Sequence, residues 1–337
     1  MKFTKILLLL VVCLLWLGGC SQTMMRYLYK TNVIADDYQY GDLYRLSNLP
    51  QFKDPVAPCP PRTFLSDTAR THLYVIGDSF TEPERLGKQD LPVSYFKRVQ
   101  WDKQDTVQLD PAAHNVLLIE SVERHFREHA AASASIQNLL VVKDTNRTNS
   151  PETDVPSLGK QLADAIHSEG IEERLETVLF SQAIFLWFKE LKATLNLAFF
   201  ERVSPNVSLS QNKEHLFIAL DTDSTKLLNA GTSPLSDQEV NGLVSTINKT
   251  ATHYQSVGFD KVILSIIPNK ATILDPTLKP YNYLIERVQR HPDLNVPVVD
   301  IYSLYRQQTK SVYALGDSHW NCTGRALWLN TIANTLH

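Results

Sequence analysis

The segment that most limits the fold of this chain is Lys261-Val262-Ile263-Leu264-Ser265-Ile266-Ile267. It is short, apolar without alternation and rich in β-branched side chains. A strand with one face in water alternates apolar and polar residues, whereas one buried on both faces does not. Similar runs occur at Leu73–Ile76, Asn115–Ile119, Leu139–Val142, Leu216–Leu220 and Val296–Ile301. Stretches of helical spacing lie between them, at 121–132, 238–257, 281–290 and 323–336. This alternation predicts an α/β fold, a three-layer α/β/α sandwich around a mainly parallel sheet. With 337 residues, 43% of them hydrophobic, the chain has material for one large core or one core and a small lobe.

The first twenty residues read differently. Lys2 and Lys5 precede an uncharged apolar run from Ile6 to Leu17. A membrane span takes about 20 apolar residues, so this run suits the h-region of a signal peptide better. Leu17-Gly18-Gly19-Cys20 follows and resembles a bacterial lipobox, which implies a lipid on Cys20. An uncleaved anchor helix is the alternative, and either one tethers the protein to a membrane. Ser21 resembles the sorting signal of an outer-membrane lipoprotein. The expected organisation is a signal peptide over 1–19, a Pro-rich tether over 20–70, and an α/β domain over 71–337. A helical insertion is expected at about 130–215, where the β/α rhythm lapses.

Charge and cysteine content exclude several classes. The formal net charge is -3 and no stretch is strongly basic, so no nucleic-acid partner is expected. Neither a P-loop nor G-x-G-x-x-G is present, and soft ligands at metal spacing are lacking, so no cofactor and no metal is expected. Of the four cysteines, Cys59 and Cys322 remain once Cys13 and Cys20 are set aside, and an oxidising compartment permits a bridge between them.

Ligands of an open parallel sheet bind outside the carboxyl ends of its strands. The first run is followed there by Gly77-Asp78-Ser79-Phe80, the second by Glu120-Ser121-Val122-Glu123-Arg124, and the strongest by Pro268-Asn269-Lys270. Gly316-Asp317-Ser318-His319-Trp320 lies just before the last helix. A serine hydroxyl needs a base to take its proton, and a histidine oriented by a carboxylate is that base near neutral pH. Ser79, His319 and Asp317 are therefore the candidate catalytic residues.

Gly-Asp-Ser-Phe after an apolar strand, with a late Asp-x-His, resembles the first and last blocks of the SGNH/GDSL hydrolase superfamily, whose sheet is flavodoxin-like. The short Asp317-Ser318-His319-Trp320 form, Val122-Glu123-Arg124 and Ile267-Pro268-Asn269-Lys270 are similar to its alginate O-acetyltransferase-like, "DHHW" branch. The Gly-x-Asn-Asp block that supplies an oxyanion-binding Asn in typical members is missing. Arg124, Asn269 and Lys270 are the candidate donors by position. Glu123 is either an ion-pair partner of Arg124 or a substrate contact, and Trp320 either packs or offers a sugar platform. The resemblance implies an esterase or O-acetyltransferase acting on a cell-envelope or extracellular glycan. A transferase would draw its acyl group from a membrane acyl-transfer protein. The alternative is a non-catalytic carbohydrate-binding or scaffold lipoprotein of the same fold.

Overall fold

The computed structural model describes residues 2–21, 27, 31, 37–60, 62, 70–131, 137–142, 183–225, 231–275 and 280–336. Its helices are α1 (Lys2–Cys20), α2 (Asp42–Ser47), α3 (Glu123–His129), α4 (Ala183–Phe200), α5 (Ala219–Thr222), α6 (Asp237–Ser256), α7 (Lys270–Leu274), α8 (Leu284–Gln289), α9 (Ile301–Arg306) and α10 (Cys322–Thr335). Its strands are β1 (Thr71–Gly77), β2 (Tyr95–Gln100), β3 (Asp105–Val107), β4 (His114–Val122), β5 (Leu139–Val141), β6 (Val207–Leu209), β7 (Leu216–Ile218) and β8 (Lys261–Ile267). The chain divides into two compact units, Met1–Pro55 with Asn146–Val203, and Val56–Thr145 with Ser204–His337.

In the first unit, the Glu190 carboxylate of α4 accepts hydrogen bonds from the Tyr44 hydroxyl of α2 and, at 2.8 Å, from the Lys53 ammonium. Trp187, Phe188, Phe199 and Phe200 of α4 are exposed. Among the described residues no helix is long and apolar enough to cross a membrane. The turn-rich stretch 144–156 lies outside the described residues, as does the Cys20 side chain.

The second unit is built on a parallel sheet in the order β2-β1-β4-β8. Val298 adds a parallel bridge to Leu264 on the outer side of β8. Alternation along each strand explains the two layers of helices. Tyr74 and Ile76 of β1, Leu117 and Ile119 of β4, and Leu264 of β8 join α3, α6 and α8 through Phe126, Leu243, Ile247 and Ile285. Leu73, Val75, Leu118 and Ile263 point the other way, into Ile301, Tyr305, Trp328 and Leu329 of α9 and α10. Both faces are apolar because both are covered, which is what the unbroken runs require. The α/β class and the mainly parallel sheet thus follow the sequence expectation.

Three expected strands take other places. Leu139–Val141 pairs with β3 in a separate parallel pair. Leu216–Ile218 forms an antiparallel hairpin with β6 and turns into α5 at Ala219. The Ser210–His215 turn between β6 and β7 explains this, because a link that short returns the chain antiparallel, whereas a parallel partner needs a crossover of a dozen residues or more. The run 296–301 gives one bridge and then α9.

Candidate active site

Two segments meet at the carboxyl end of the sheet. The first is the turn after β1. Asp78 caps a single 3-10 turn, Ser79–Thr81, its carboxylate accepting from Phe80 N–H at 3.5 Å and Val122 N–H at 2.7 Å. A Cβ on Gly77 would lie 2.2 Å from Thr81 Oγ1 and 2.7 Å from Glu120 Oε2, so glycine is required there. Arg98 of the edge strand β2 donates to the carbonyls of Gly77 at 3.1 Å and Asp78 at 2.6 Å, and to Thr81 Oγ1 at 3.1 Å. The turn is held from three sides, and it leaves the half-buried Ser79 at its tip.

The second segment is the loop between Tyr313 and Trp320, whose backbones bridge in antiparallel fashion. Ala314 N–H donates to His319 O and Asn321 N–H to Val312 O, which closes the loop. Asn321 then caps α10, accepting from Thr323 and Gly324 N–H, both at 3.0 Å. The Lys270 ammonium fills the loop, donating to the carbonyls of Ala314 (2.7 Å), Leu315 (2.8 Å) and Asp317 (3.0 Å).

Across these segments, His319 Nε2 stands 2.9 Å from Ser79 Oγ. His319 Nδ1 stands 2.6 Å from Asp317 Oδ1, which also accepts the His319 backbone N–H at 2.8 Å. Burial acts to raise the Asp317 carboxyl, but the His319 hydrogen bonds and charge and the Arg85 guanidinium outweigh it. The net effect is to hold Asp317 well below the usual carboxylate range. An ionised carboxylate fixing one ring nitrogen, with the other against a hydroxyl, is the geometry in which imidazole takes a hydroxyl proton. Phe80 packs against the His319 ring, ring centres 4.6 Å apart, and Trp320 backs Phe80 at 4.9 Å.

The remaining candidates separate into two groups. Lys270 is buried, and its three carbonyl bonds match the three donors of an ammonium, so it holds the base loop rather than serving as an oxyanion donor. Glu123 faces Tyr281 O–H (2.7 Å), Thr272 O–H (2.6 Å) and Asn269 N–H (2.9 Å), a buried knot between α3 and α7 to which the Arg124 charge adds a smaller attraction. Trp320 is 5% exposed and packs on Trp328, which leaves no platform. Asn269 and Arg124 differ: buried Asn269 Nδ2 has no hydrogen-bond partner among the described residues, and buried Arg124 Nη1 lies 3.7 Å from the Asp221 carboxylate in an ion pair. Asn269 Oδ1 accepts Arg124 N–H at 3.2 Å, which makes the two neighbours.

Sequence reasoning missed Arg85. Its guanidinium lies 3.3 Å from His319 Nδ1, 3.3 Å from Ser79 O and 2.9 Å from the Glu82 carboxylate. No motif marks an arginine six residues beyond the serine. Its position comes from Arg325 of α10, which bonds Arg85 O at 2.8 Å and Asp90 at 2.6 Å. Cys59 and Cys322 form a disulfide, with their Cα atoms 5.2 Å apart. The chain matches no protein-family model, no curated protein and no solved structure with which it was compared. Fold and site together define an α/β protein with a hydrogen-bonded Ser-His-Asp series at the carboxyl edge of its parallel sheet.

Proposed function

We propose that this chain is an SGNH/GDSL-type acyl ester hydrolase or O-acetyltransferase of the bacterial cell envelope, tethered by lipid on Cys20 and acting on an O-acylated glycan. The observation that carries this reading is His319 set between Ser79 Oγ at 2.9 Å and Asp317 Oδ1 at 2.6 Å. Ser79 Oγ attacks the acyl carbonyl while His319 Nε2 takes its proton, and Asp317 stabilises the imidazolium. His319 returns the proton to the departing oxygen, leaving an acyl ester on Ser79. Water or a sugar hydroxyl then releases the acyl group by the same steps in reverse. The Ser79 backbone N–H and Asn269 Nδ2 are the donors proposed for the oxyanion, with Arg124, ion-paired to Asp221, as the charge behind them. In the transferase form the acyl donor is a membrane acyl-transfer protein.

Turnover of p-nitrophenyl acetate by the chain, lost in both Ser79→Ala and His319→Ala, is the expected result. Turnover that survives Ser79→Ala would refute the assignment. Mass spectrometry of an added oligosaccharide separates transfer from hydrolysis by a gain of acetyl. Labelling with a palmitate analogue should vanish in Cys20→Ala, and persistent labelling overturns the anchor.

One observation favours a second reading, a non-catalytic glycan-binding or scaffold lipoprotein. Glu120 to Arg124 stand where typical members carry the oxyanion block, and the Glu123 side chain is consumed by Tyr281, Thr272 and Asn269. Binding of an acetylated oligosaccharide without acetyl loss or gain would support it.

A further inference from the structure

Helix α4 of the first unit has two faces of opposite kind. On the inner one, Leu186 is buried, and one turn further on the Glu190 carboxylate accepts from Tyr44 and Lys53. On the outer one, Ile184, Trp187, Phe188, Leu191, Leu195 and Phe199 are each between 40% and 75% exposed. At about 3.6 residues per turn these six fall within about 120° of the helix circumference and run for about 22 Å along its axis. Single apolar side chains at a surface are ordinary. A contiguous apolar stripe of this size marks a surface that something covers.

The charges say what covers it. The described helix holds Lys189, Lys192 and one acid, Glu190. The acid is turned inward to Lys53, so no carboxylate of α4 accompanies the stripe. By the same spacing both lysines fall on one flank of it. A lysine there lays its methylenes along an apolar layer and keeps its ammonium among anionic headgroups. The stripe is also broader than the two-position seam through which one helix grips another. Half of it is Trp and Phe, the rings that suit the boundary between headgroups and acyl chains. The same unit contains α1, where Phe3, Leu8 and Leu14 are also exposed. That is the segment whose sequence suits a membrane leader or anchor.

We propose that α4 is an interfacial helix, lying in the plane of an anionic phospholipid surface with its Ile184-to-Phe199 stripe in the outer acyl region and Lys189 and Lys192 at the phosphates. This rests on the membrane location in the reading above and not on its acyl chemistry. Helix α4 is not long and apolar enough to cross a membrane, and a helix of this kind sinks only about 5–10 Å into the boundary. One tether point leaves a chain free to turn. A second contact fixes how this unit meets the bilayer.

The test reads Trp187 directly. The full chain is reconstituted in vesicles of phosphatidylethanolamine and phosphatidylglycerol whose acyl chains carry bromine either near the headgroup or near the bilayer centre. Trp16 lies in α1, so Trp16→Phe is compared with the same chain carrying Trp187→Phe as well, and the difference is the Trp187 emission. The expected result is blue-shifted emission, quenched more by shallow bromine than by deep bromine and shielded from iodide in the water. Leu191→Glu, which sets a carboxylate in the middle of the stripe, should abolish the bromine quenching and restore quenching by iodide. Trp187 emission open to iodide and untouched by bromine overturns the proposal. Stronger quenching by the deep bromine overturns it too, because it marks a spanning helix. Shielding from iodide without bromine quenching also overturns it and gives the stripe to a protein partner or a second copy of the chain. Bromine quenching that survives Leu191→Glu removes the stripe as its cause. None of these readings needs turnover or a label on Cys20, so a failed acyl-transfer or lipid-anchor reading is distinguishable from a failed α4 one.

Discussion

Asp317 shows how much one side chain can carry. Its Oδ1 accepts two hydrogen bonds from the same histidine, one from the ring and one from the backbone. The first sets the tautomer and the second sets the loop. Asp317→Asn keeps the volume and removes the charge, so the amide can turn its NH₂ to the ring and place the imidazole proton on the nitrogen facing Ser79. The expected loss in kcat on p-nitrophenyl acetate is about 10⁴-fold, the size seen when this carboxylate is neutralised in a serine protease of known mechanism. KM should change far less, because Asp317 touches no substrate in this reading. A fall in kcat/KM carried by KM would place Asp317 in substrate binding instead. The pair Asp317 and His319 was legible in the sequence because the two share one short loop. Arg85 was not, and Lys270 was legible in place but not in role, since what they do depends on which backbone atoms the fold brings beside them.

Elements set those neighbours. Lys270 opens α7 just after β8, and Pro268 O accepts the Tyr313 hydroxyl, so the strand end and the base loop are joined at two points. Lys270→Met removes the ammonium and leaves its three carbonyl acceptors without their donor. The expected cost is about 3 kcal/mol in denaturant unfolding, with kcat reduced along with it. A variant as stable as wild type would show that the loop closes by its own backbone bonds. On the opposite side of the sheet edge, burial pushes the His129 imidazole of α3 down to about 4, with the Asp78 carboxylate resisting and His125 adding to the shift. A histidine lowered from about 6.5 stabilises the fold above that pH and loses its contribution as pH falls towards the folded value. His129→Gln should therefore flatten the acid side of the stability curve. Urea unfolding at pH 7 and pH 4.5 should show wild type losing about 2 kcal/mol more than the variant, after discounting for partial exposure. β1, β4 and β8 were legible because burial on both faces makes them continuous in sequence. β2, Tyr95–Gln100, was hidden because an edge strand carrying Lys97 and Arg98 does not read as apolar. The Leu216 run was misplaced because composition does not distinguish a sheet strand from a local hairpin.

At the scale of the whole second unit, the Cys59–Cys322 bridge is the longest covalent constraint, joining residues 263 apart in sequence. Cys322 is the first residue of α10, three beyond His319, so the bridge could act on the fold, on the base loop, or on both. The surroundings of α10 separate these. Asn321 caps the helix and donates to Ser311 O at 2.7 Å. Arg325 binds Asp90 at 2.6 Å, and Trp328 Nε1 donates to Ser265 Oγ at 3.0 Å. The helix start is thus fixed without the sulfur atoms, and the bridge adds chiefly by restricting the unfolded chain. Closing so long a loop stabilises by a few kcal/mol, at most about 5. A Cys59→Ser, Cys322→Ser variant should lose that much in guanidinium unfolding while keeping the p-nitrophenyl acetate kcat of the oxidised wild type. Wild type under reductant should follow the same course. A loss of kcat that tracks reduction, with unfolding unchanged, would mean that the bridge aims His319 rather than holding the fold.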